Sequence, residues 1–64
     1  MDRFEVDVIA TMDGKGARII EARSREIEEV RKTMTHTPWE KREILYKKLR
    51  ELREELDVLR VVAG

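Results

Sequence analysis

Thr37-Pro38-Trp39-Glu40 reads as a helix start in the middle of the chain. Thr37 suits the N-cap, where its hydroxyl can accept a bond from an orphan backbone N–H. Pro38 suits the first helical position, where its missing N–H costs nothing, and Glu40 lies three residues past the cap and can close a capping box. Pro38 also pushes Thr37 out of the α region, so a preceding helix ends there. Thr33-Met34-Thr35-His36-Thr37 supports that stop, because threonines crowd a helix interior and favour its ends. One stop and one restart across so short a turn predict two antiparallel helices.

After the turn, Leu45, Leu49, Leu52, Leu56 and Leu59 step by four, three, four and three. This is an unbroken a/d seam on a helix over 38–62, with Leu49 and Leu56 at a and Leu45, Leu52 and Leu59 at d. Before the turn, the spacing predicts a helix over 17–34. Ile20, Ile27 and Met34 occupy a positions and Val30 a d position, but the preceding d position is Arg23, which interrupts the seam. A turn over 35–37 sets the facing pairs: Val30 with Leu45, Ile27 with Leu49, and Ile20 with Leu56. Glu21–Arg25, Glu28–Lys32, Glu43–Lys47 and Lys47–Glu51 are i,i+4 pairs that can lace the exposed faces. Arg50–Glu54 and Arg53–Asp57 can do so in the less favourable order.

Upstream, Asp13-Gly14-Lys15-Gly16 reads as a glycine hinge. A phosphate loop needs a Ser or Thr after its Lys, and here Gly16 follows Lys15. Residues 1–12 form an N-terminal arm in which Phe4, Val6, Val8, Ala10 and Met12 alternate with Glu5, Asp7, Ile9 and Thr11. That alternation and the β-branched content predict an extended arm or short strand. Such a strand has no second strand in the chain to pair with. A helix is the rival reading, with Asp2 and Glu5 as a capping box and Phe4, Val8 and Met12 as one stripe. The fold class is therefore mainly α: an antiparallel, coiled-coil-like hairpin with an N-terminal arm.

The 64 residues include 14 Lys or Arg, 14 Asp or Glu, one His and no Cys. A chain of this length is one domain with a marginal core, and such scaffolds usually gain stability from disulfides, a metal or a partner chain. The absence of Cys removes the first, and a lone His36 argues against a metal, so another chain is the expected source. The zero formal charge lacks the basic excess of nucleic-acid binders, which makes nucleic acid a disfavoured partner. The apolar runs are too short to span a membrane, and the charged start Met1-Asp2-Arg3-Phe4-Glu5 is unlike a signal peptide. The expected location is cytoplasmic, or in a larger particle assembled there, rather than secreted or transmembrane.

No catalytic set emerges. Ser24 is the only Ser, and it sits in the middle of the first long helix, away from His36 at its end. The carboxylates are interleaved with Lys and Arg as solvated faces. No cofactor, metal or catalytic residue is expected, and the chain is not expected to be an enzyme. Trp39 has two readings: packing across the turn on Met34 or Glu43, or an interface anchor of the kind Trp often supplies. Tyr46 lies beside the seam at an e position. The cluster Lys41-Arg42 and Lys47-Lys48-Arg50 is mixed with Glu40, Glu43 and Glu51 and spreads over more than one helix face.

The stretch from Thr37 to Leu45, continued through Leu49, Leu52 and Arg53-Glu54-Glu55-Leu56, resembles helical-hairpin segments of small virion and internal proteins of tailed bacteriophages. Trp39 stands where those segments usually carry an acidic or small residue. The resemblance covers about a third of the chain. It implies a structural role and carries over no functional residue.

These readings converge on a non-catalytic protein–protein interaction or assembly module, with a second copy or a larger assembly as its partner. The expected interface comprises Leu45, Leu49, Leu52, Leu56, Leu59, Ile20, Ile27 and Trp39, with Phe4, Val6 and Val8 on the arm. A small regulatory nucleic-acid-binding hairpin dimer is one alternative. A small protein inhibitor of a host enzyme is another.

Overall fold

In the computed structural model, which describes residues 1–64, two long helices pack antiparallel. Helix α2 spans Gly16–Thr35 and helix α3 spans Arg42–Ala63. Their contact follows the heptads. Ile27, Val30, Leu52 and Leu56 are buried, and Ile20, Met34, Leu45 and Leu49 pack around them. The predicted hairpin is thus the observed one.

The arm differs from the extended reading. Residues Arg3–Ala10 form a third helix, α1. The Asp2 carboxylate accepts a hydrogen bond from the Glu5 amide at 3.0 Å, so the rival capped-helix reading holds. The physical reason is backbone satisfaction. A single strand leaves its N–H and C=O groups unpaired, whereas a helix pairs them internally. Eight residues are too few for an isolated helix, so α1 depends on docking against α2 and α3. Phe4, Val8 and Thr11 are turned inward, while Met12, from the expected stripe, is exposed.

A kinked wide turn over Thr11–Lys15 reverses the chain between α1 and α2. Gly14 sits there at φ 84°, in the left-handed region that favours glycine. Gly16 is required for a different reason: a Cβ on it would lie 2.7 Å from Thr11 Cγ2. The Thr11 hydroxyl donates to the Asp7 carbonyl at 2.7 Å, which ties the kink to α1. α3 packs against both α1 and this kink. Leu59, toward the end of α3, is completely buried.

The central turn also departs from the expected capping box. Thr37 closes α2 instead of capping α3, since its hydroxyl donates to the Thr33 carbonyl at 2.6 Å. Pro38 is extended at ψ 141°, and a single tight turn over Trp39–Lys41 precedes α3. The helix therefore starts at Arg42 rather than Pro38, held by an Arg42 Nε–H donated to the Thr37 carbonyl at 2.9 Å.

The radius of gyration is 13.1 Å with extents of 41 × 20 × 16 Å. A globular chain of this length would measure about 10.7 Å. The molecule is a short rod: three helices thick at the α1 end and two at the turn end.

Candidate interaction surfaces

The expected interface residues divide sharply by position. Leu52, Leu56, Leu59 and Ile27 are buried, and Leu45, Leu49 and Ile20 are half-buried. Within the single chain the leucine seam serves as the hairpin's own core: Leu52 and Leu56 pack with Ile27 and Val30 of α2, Leu45 and Leu49 pack around them, and α3 also meets α1 and the kink. The arm residues Phe4 and Val8 are likewise half-buried against their own chain. Val6 remains exposed, and Trp39 is 76% exposed because the late start of α3 leaves it on a projecting turn. It does not pack across the turn.

Apart from Met1 at the chain start, the large apolar side chains left in solvent lie toward the two ends of the rod. Val6, Ile9 and Met12 lie along α1 and its kink, with Val58 and Val61 near the end of α3; Trp39, Ile44 and Tyr46 lie at the turn. Val6 and Trp39 were expected at an interface, and Ile44, Val58 and Val61 were legible as apolar excess on the second helix beyond what one neighbour can cover. Ile9 and Met12 were read only as part of the arm.

Arg23, which interrupts the first seam, is 2% exposed. It joins all three helices. Its guanidinium pairs with Asp7 of α1 and lies 3.1 Å from Glu55 Oε1 of α3. The Glu55 contact is an ion pair without hydrogen-bond alignment, so Nε and Nη1 of Arg23 keep no hydrogen-bond partner. One helical turn away, Arg3 of α1 donates to both carboxylate oxygens of Glu26 at 2.8 Å. That hydrogen bond, with the charges of Glu26, Asp7 and Glu55, raises the Arg3 pKa above its ordinary value against a smaller opposing effect of burial. A raised pKa contributes stability below the ordinary value and loses it only as pH rises through the higher one. The Arg3 latch therefore stays charged up to strongly alkaline pH.

Of the predicted surface pairs, Glu21–Arg25 forms at 2.9 Å, while Glu28 pairs with Arg31 instead of Lys32. None of the pairs expected along α3 is present. Exposed pairs return only a few tenths of a kcal/mol against side-chain entropy, so long basic side chains stay free.

The Ser24 hydroxyl donates to the Ile20 carbonyl at 2.9 Å, within α2. His36 is exposed at the turn, about 18 Å further along the helix axis. No three His, Asp or Glu side chains gather as a metal site, and no helix is long and apolar enough to cross a membrane. No protein-family model, curated protein or solved structure matches the chain.

Proposed function

We propose that this chain is a non-catalytic protein–protein interaction or assembly module whose contact surface is the outside of its three-helix end. The observation that carries this reading is the exposure of Val6, Ile9, Met12, Val58 and Val61 at that end, in a chain whose leucines are used internally. Apolar side chains grouped in solvent mark interaction sites in soluble proteins. A small domain with five buried apolar core residues also gains stability from covering more surface. A second copy is the simplest partner, since a two-fold interface needs one self-complementary patch. The narrower version, a component of a phage or other viral particle, draws on the resemblance of the hairpin segment.

The test is the solution mass of the wild-type chain and of an Ile9→Asp/Val61→Asp variant, with helicity followed in parallel. Expected is a wild-type dimer or larger species and a variant that is monomeric yet equally helical. A monomeric wild type at high concentration, or a variant of unchanged mass, would overturn the reading.

A further inference from the structure

On α3, Arg42, Tyr46, Leu49 and Arg53 form one stripe by their four, three, four spacing. This stripe shares Leu49 with the seam and runs along its edge opposite Lys48, Glu51 and Glu55, which line the cleft beneath α1. With Arg31 and Met34 of α2 it encloses an open groove of about 390 Å³ near the turn, and no carboxylate lines it. Arg31 contacts Glu28 outside the groove at 3.4 Å, and Arg42 uses only its Nε on the Thr37 carbonyl. Arg53 has no ion pair, nor has any other basic side chain of α3.

The zero net charge conceals a separation along the rod. Residues 31–50 hold seven Lys or Arg and two Asp or Glu, whereas the rest of the chain holds seven and twelve. The rod is 41 Å long. Exposed charges are screened within about 8 Å at physiological salt, so the acidic end does not neutralise the basic one. A ligand approaching the turn end meets a cationic surface.

We infer that this groove binds the phosphodiester backbone of a single nucleic-acid strand, with a base stacked on Tyr46. Guanidinium forks match phosphate oxygens in bidentate fashion. The Tyr46 ring is half exposed between them, and an aromatic ring flanked by cations is the usual platform for an unpaired base. An acidic peptide would satisfy the same cations. It would gain little from the floor, because Met34 and Leu49 are already largely covered by the hairpin. The inference is independent of the assembly reading, which uses the opposite end of the rod.

The test is fluorescence anisotropy of labelled oligouridylate and oligothymidylate, each about 12 nucleotides long, over a salt series with polyglutamate as competitor. Three phosphate contacts give a slope of log K against log salt of about −2. Arg53→Gln is expected to reduce that slope by about 0.7 and to weaken binding several-fold at low salt. Tyr46→Ala is expected to weaken binding about 5-fold or more at unchanged slope. Arg18→Gln, near the other end at the start of α2, should change neither. Tighter binding of one oligomer assigns RNA or DNA as the strand. No binding at low salt, insensitivity to Tyr46→Ala, or equal competition by polyglutamate would overturn the inference. Both key side chains are on the surface, and unchanged circular dichroism of the variants separates lost binding from lost folding.

Discussion

Arg23 is the one buried charge, and it pairs with both α1 and α3. A buried ion pair is not in itself stabilising, because desolvation offsets the attraction. Asp7 and Glu55 keep part of their surface in water, at 20% and 30% side-chain exposure, so each can hydrate if Arg23 is removed. Arg23→Met is therefore expected to be neutral or mildly stabilising in a urea melt. Asp7→Ala does the reverse, leaving the cation buried with a single misaligned partner. A loss of about 2–3 kcal/mol is expected, read as a lower urea midpoint at unchanged slope. Gly16 gives a second residue-scale expectation. Gly16→Ala sets a methyl group against Thr11, within a packed kink that cannot easily give way. It should cost about 1–3 kcal/mol, whereas an alanine in an open helix position normally stabilises relative to glycine.

At the scale of elements, leucines equivalent in the heptad are unequal in the fold. Leu45 and Leu59 both occupy d positions, but Leu45 is only half-buried near the turn and Leu59 is fully enclosed toward the end of α3. Leu59→Ala is expected to cost about 3–5 kcal/mol and Leu45→Ala about 1–2, measured by chemical denaturation. Equal losses would mean that α1 and its kink do not cover α3. The two long helices were legible in the sequence because their apolar periodicity is long and their break is marked by threonines and Pro38. α1 was ambiguous because eight residues with an Asp2 cap and β-branched side chains satisfy both patterns, and only its packing decides between them. Arg23 read as a fault in the seam because its counter-ions, Asp7 and Glu55, are 16 and 32 positions away. Thr37 read as the cap of the helix after it, although a hydroxyl between two helices can equally bond back to the helix before it. Its hydrogen bond to Thr33, not its identity, settles which end it closes.

At the scale of the whole molecule, the rod has two unlike ends. The three-helix end is acidic and apolar, with its leucines enclosed. The turn end is basic, with an open arginine groove. A count of charges over the full chain cannot reveal this, and the two sets of exposed residues become meaningful only once α1 is docked. Closure of the core within one chain underlies both functional readings, because it frees the outer surfaces for partners. The most direct measurement is a dilution series in which light scattering and circular dichroism are recorded on the same samples. If the core closes within one chain, the mass falls to that of a single chain while helicity stays constant. A loss of helicity in step with the fall in mass would contradict this, showing that Leu52, Leu56 and Leu59 are covered by a second chain rather than by α1 and α2.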